Sequence, residues 1–136
     1  MRTATVKWVS GEEFLATMPS GQAVLFDGAN ENKKGPSPKE TLLGALGACT
    51  AIDVASILKK KRQNLQSLEI LVSGEDAKES PQVWTRIEIV YRLTGKLDEQ
   101  AVRHAIELSE TKYCSVAAML GKTAKITYRY EILPAR

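Results

Sequence analysis

Cys49 and Cys114 are the residues of this chain best suited to chemistry. Cys49 lies in Gly47-Ala48-Cys49-Thr50, inside a nearly uncharged stretch over residues 41–58, and Cys114 lies in Lys112-Tyr113-Cys114-Ser115-Val116. A thiol attacks a peroxide only as thiolate, and an unperturbed pKa of about 8.5 leaves a few per cent ionised at neutral pH. Bringing that pKa to about 6 takes about 3.4 kcal/mol of differential stabilisation. Burial in a helix interior works in the opposite direction. Cys49 also lies beyond reliable reach of the macrodipole at the predicted helix start. A reactive Cys49 therefore needs a cation from elsewhere. Between Arg2 and Arg62 the cations are Lys7, Lys33, Lys34, Lys39 and the Lys59–Lys61 run. Lys33 and Lys34, on a polar loop, are candidates, as is a basic group from another segment or subunit. Taken singly, each cysteine reads more readily as a small buried hydrophobe.

Asp53 falls one helical turn after Cys49. A carboxylate in an apolar helix must find a partner, and a neighbouring helix end suits it better than the thiol, whose pKa a negative charge would raise. His104, the single histidine, falls on the polar side of its helix and reads as a surface residue. Two cysteines and one histidine without close spacing fall short of the roughly four ligands of a tetrahedral metal site. No metal or cofactor is expected.

These residues must be positioned by one domain, residues 1–136, with 43% hydrophobic and 26% charged side chains. A formal net charge of +3 does not argue for nucleic acid. The run Lys59-Lys60-Lys61-Arg62 closes a helix, where cations complement the macrodipole. Residues 1–30 lack a secretory pattern, so a cytoplasmic location is expected, where paired cysteines are more often catalytic, redox-active or metal-binding than structural. Residues 41–58 approach a membrane span in length, but Asp53, three hydroxyl residues and many small residues fit a helix buried all round in a protein core. No membrane association is expected.

Alternating runs at residues 3–9, 13–18 and 22–27, separated by Ser10-Gly11-Glu12 and Pro19-Ser20-Gly21, predict a strand meander. Residues 28–37 form a polar loop, long enough to be functional. Ser37-Pro38-Lys39-Glu40 predicts a helix start, with Ser37 as N-cap and Glu40 completing a capping box, and the helix should run to about Arg62. Gly44 and Gly47 inside it, at about 1 kcal/mol each, want a packing reason. Strands are predicted at residues 67–73 and 83–93, the second with Thr85, Ile87, Ile89, Tyr91 and Leu93 on one face. A helix capped by Asp98 to about Thr111, a short helix at residues 115–120 ending at Gly121, and a strand at 124–133 complete an α+β chain.

Gly35-Pro36-Ser37-Pro38-Lys39-Glu40-Thr41-Leu42-Leu43, leading to Gly47-Ala48-Cys49-Thr50 and then Lys112-Tyr113-Cys114-Ser115-Val116, resembles the OsmC/Ohr family of osmotically inducible and organic hydroperoxide resistance proteins. The likeness is to the OsmC-like branch rather than Ohr proper. It implies an α+β fold of curved antiparallel sheets around a long buried central helix, in an intertwined homodimer. It also implies a thiol-dependent peroxidase that reduces organic hydroperoxides without metal, haem or flavin. By this resemblance Cys49 matches the peroxidatic cysteine, which becomes a sulfenic acid, and Cys114 the resolving cysteine, which closes a disulfide that an external dithiol reduces. Glu40 stands near the family's activating glutamate. That residue directly follows the helix-start proline in Ohr-type proteins, whereas Lys39 follows Pro38 here and Glu40 is rotated about 100° further round the helix. The arginine expected to join it is missing between Arg2 and Arg62. That gap favours the alternative, a non-catalytic dimeric small-molecule binder or redox sensor on the same scaffold.

Overall fold

The computed structural model describes residues 1–136, which divide into two compact units, residues 1–42 and 43–136. In the first unit, β1 (Thr5–Ser10), β2 (Glu13–Thr17) and β3 (Ala23–Asp27) form the predicted antiparallel meander. Gly11 and Gly21 turn the chain between them with φ of 54° and 93°, a region where a Cβ is strained. β1 is exposed along its whole length, and Trp8 remains 70% exposed.

The helix α1 (Pro38–Lys60) begins where Ser37 and Pro38 predict. It stops two residues short of Arg62, which takes φ 56°. The Gln63 amide then donates back to the Leu58 carbonyl at 2.9 Å, satisfying one of the last open carbonyls. In the second unit follow β4 (Asn64–Asp76), β5 (Trp84–Lys96), α2 (Glu99–Leu108), a π-helical turn at Ser109–Tyr113, α3 (Ser115–Leu120) and β6 (Lys125–Leu133). β4 is longer than expected because its polar ends, from Asn64 opposite Lys96 to Asp76 opposite Trp84, continue the ladder where apolar alternation has faded. Asp98 sits at the start of α2, but its side chain makes no capping bond.

The sheet order is β4-β5-β6, with β5 antiparallel to β4 and parallel to β6. The resemblance implies antiparallel sheets; the α+β class stands, but the parallel β5–β6 pair makes the second sheet mixed. The helical segment between β5 and β6 supplies the crossover that a parallel pair requires. Ile87, Ile89, Tyr91 and Leu93 point into the core as their alternation predicts, while Thr85 stays exposed.

α1 meets this core along a stripe spaced by four, Leu46, Thr50, Val54 and Leu58, with Gly47 beside it. A Cβ on Gly47 would lie 3.1 Å from a Val72 methyl, so close approach to β4 explains this glycine, whereas Gly44 faces open space. By length and composition α1 could cross a membrane. The expectation that it is buried all round is corrected within the single chain, where Ile52 is 70% exposed. A single sheet covers only one side of a helix.

Candidate functional site

The fold brings the two cysteines together. Cys49, half-buried on α1, and Cys114, 3% exposed between the π-helical turn and α3, are free thiols near enough for Cys49 to act on Cys114. Cys114 is held by its own backbone and by the next helix. Its amide donates to the Ser109 carbonyl at 2.8 Å, and its sulfur caps α3 by accepting the Ala117 amide at 3.3 Å. Burial pushes the Cys114 thiol up to about 12; contact with Cys49 and the charge of Glu110 add to this, and the Ala117 amide opposes it. None of the groups acting on Cys114 most strongly is a cation. Cys114 is thus held as a protonated, shielded thiol beside a more accessible one.

A run of polar side chains threads behind the pair. Thr50, which follows Cys49 directly, places its hydroxyl 2.6 Å from Tyr91 Oη and 2.7 Å from Ser109 Oγ, all buried. Ser109 Oγ donates to Asp53 Oδ2 at 2.9 Å, and Tyr91 Oη donates to Glu110 Oε1. Burial pushes the Glu110 carboxyl up from its ordinary range, although Tyr91 acts the other way. Burial, and next the bond to Glu110, push the Tyr91 phenol up. Asp53 therefore finds its partner at the end of a neighbouring helix, as expected. Thr50, Tyr91, Ser109 and Glu110 are absent from the sequence reading as site residues. One signal was available: a tyrosine on the apolar face of a strand must give its hydroxyl a partner. The identity of that partner was not readable. His104 is exposed, as expected.

The remaining candidates belong to the first unit. Glu40 Oε2 accepts from the Ser37 amide at 2.7 Å and from the Ser37 hydroxyl at 2.8 Å. The amide, then the hydroxyl, hold its carboxyl below the usual range. Lys33 Nζ donates to the carbonyls of Asp27 and Ala29 at 2.5 and 3.0 Å, and Lys34 Nζ lies 3.6 Å from Glu13 Oε2. Both candidate cations are thus engaged within their own unit. The loop after β3 is built around Asp27, whose carboxylate accepts the Ala29 and Lys34 amides at 2.9 and 3.0 Å. The Lys34 amide is the larger cause, ahead of Ala29, of the lowered Asp27 pKa.

The family model described as OsmC-like protein matches residues 30–129, a span that includes Glu40, Cys49 and Cys114. Protein YhfA of Escherichia coli K12 is 46% identical over 133 residues, covering 97% of this chain and 98% of that protein. A hypothetical protein from Aquifex aeolicus VF5 is 32% identical with a TM-score of 0.89, over 100% of this chain and 98% of its own. The organic hydroperoxide resistance protein OhrB of Bacillus subtilis shares the fold at a TM-score of 0.62 and 17% identity, over 95% of this chain and 98% of its own. With the paired thiols, the mixed sheet and the central helix on the same span, the chain belongs to the family of OsmC-like proteins.

Proposed function

We propose that residues 1–136 act as one domain of a cytoplasmic, homodimeric thiol peroxidase that reduces organic hydroperoxides. The observation that carries this reading is the contact between two free thiols of unequal exposure, Cys49 half-buried and Cys114 buried. Cys49 as thiolate attacks the terminal peroxide oxygen, the O–O bond breaks, and the alkoxide leaves, taking a proton from solvent to become the alcohol. Cys49 is then a sulfenic acid. The Cys114 sulfur attacks the Cys49 sulfur; the S–S bond forms as the S–O bond breaks, and the thiol proton leaves with the hydroxide as water. An external dithiol reduces the disulfide by exchange and restores both thiols.

Membership of a family whose folds include a protein named for organic hydroperoxide resistance supports the substrate class. Two unpaired thiols suit the reducing cytoplasm. Glu40 enters as a positioning residue, its carboxylate fixing the start of the helix that carries Cys49. The apolar α1 surface left open around Ile52 supports the dimer, because a second copy would complete its burial. A redox sensor on the same scaffold is the second reading, favoured because Lys33 and Lys34, the candidate activating cations, are engaged with the Asp27 and Ala29 carbonyls and with Glu13. Cumene hydroperoxide with excess dithiol separates the two. The peroxidase consumes many equivalents and shows a Cys49–Cys114 peptide on a non-reducing map. Closure of the disulfide without turnover selects the sensor, and no closure at all removes both.

A further inference from the structure

The polar run behind the thiols has one link more than its hydroxyl hydrogens can fill. Four links join Glu110, Tyr91, Thr50, Ser109 and Asp53 in series. Each link needs one hydrogen between its oxygens. The three hydroxyls of Tyr91, Thr50 and Ser109 bring one hydrogen each, and an ionised carboxylate brings none. With both carboxylates ionised, one link would press two lone pairs together in a buried site, where an unmade hydrogen bond costs most.

We infer that the chain holds a fourth proton, resting on Glu110, and that a neutral Glu110 is a positioning element for disulfide closure between Cys49 and Cys114. All four links then donate in one direction, from Glu110 through Tyr91, Thr50 and Ser109 to Asp53: the Ser109 donation to Asp53 is kept, and the Tyr91–Glu110 link, in which the phenol donates while the carboxylate is ionised, is reversed. The two ends differ in surroundings. Asp53 lines a cleft of about 490 Å³ that it shares with Lys60 and Lys61. Glu110 is the end that burial pushes toward its neutral form. The groups facing Glu110 are Tyr91 on β5, Tyr128 on β6 and Cys114, which in turn touches Cys49 on α1; Glu107 on α2 acts on Tyr128 from the side. None of these is a cation that would hold Glu110 ionised.

The consequence for closure rests on the peroxidase or sensor reading above. The chain grips both cysteine segments, since Thr50 follows Cys49 and the Ser109 carbonyl holds the Cys114 amide. Loss of the fourth proton breaks one link and sets a negative charge beside Cys114, which hinders its ionisation. Closure then slows as pH rises through the chain's titration, against the usual gain of thiol reactivity with pH.

The test has two arms. Infrared spectroscopy of the reduced protein, with no oxidant, should show a protonated-carboxyl band at neutral pH. That band should be lost in Glu110→Gln and kept in Asp53→Asn. Its absence from the wild type, or its loss in Asp53→Asn alone, overturns the proton assignment whatever the protein's function. Closure is then driven by diamide, which takes up Cys49 as a sulfenyl adduct across its N=N bond. The Cys114 sulfur next displaces the hydrazine, so this arm does not depend on peroxide activity. Glutamine donates to Tyr91 as the neutral acid does. At a pH where the infrared band has titrated away, closure in the wild type should lag Glu110→Gln by about tenfold, the effect of a one-unit rise in thiol pKa. Parallel pH profiles overturn the positioning role.

Discussion

At the scale of single residues the two cysteines differ more in surroundings than in chemistry. Cys49→Ser removes the attacking sulfur and should abolish hydroperoxide turnover in a coupled dithiol assay. Cys114→Ser should keep the first oxidation and leave a sulfenic acid, detected by mass as a trapped adduct or as overoxidation. The same contrast predicts a pH effect on stability. The Cys114 thiol releases its proton near 9.0 when unshielded and near 12 in the fold. Its contribution is therefore complete below about pH 9 and declines toward pH 12, as the unfolded chain ionises first. Urea melts across that window should fall less steeply for Cys114→Ala than for the wild type. Tyr91 shows where residue-level reading stops. Its place on a buried face was legible from strand alternation, but its contacts with Thr50 and Glu110 join residues 41 and 19 positions away.

At the scale of elements, α1 is specified locally at its ends and tertiarily along its length. Ser37→Ala removes the hydroxyl bond to Glu40 and should cost about 1 kcal/mol in urea denaturation. Glu40→Gln keeps an acceptor for the Ser37 amide and should lose less, with most peroxidase activity retained if Glu40 acts through the cap. A larger loss of turnover than of stability would instead assign it a direct role. In the middle of the helix, Thr50→Val is nearly isosteric but cuts two links at once. It leaves the Tyr91 and Ser109 hydroxyls short of a buried partner, for a cost of about 2–3 kcal/mol. The strand meander, α1, α2 and α3 were legible because period and punctuation agree there. The π-helical turn at Ser109–Tyr113 was not. It continues α2 with five residues of wider winding, closed by the Cys114 amide on the Ser109 carbonyl, and sets Ser109 toward α1 and Glu110 toward β5.

At the scale of the whole molecule, the open face of α1 and the exposed β1 mark surface that a single chain leaves uncovered. Light scattering should return twice the chain mass, and Ile52→Lys should shift the protein toward the monomer while the isolated chain keeps its helical signal. The sequence by itself determined the element order, the stripe of β5 and the two cysteine motifs, because these follow from local periodicity, caps and residue type. Tertiary structure decided the parallel pairing of β6, the contact between thiols 65 positions apart in sequence, and the partners of Asp53 and Tyr91. Those are long-range pairings, and their free energy comes from burial and hydrogen bonding between segments, on which local sequence pattern has no purchase.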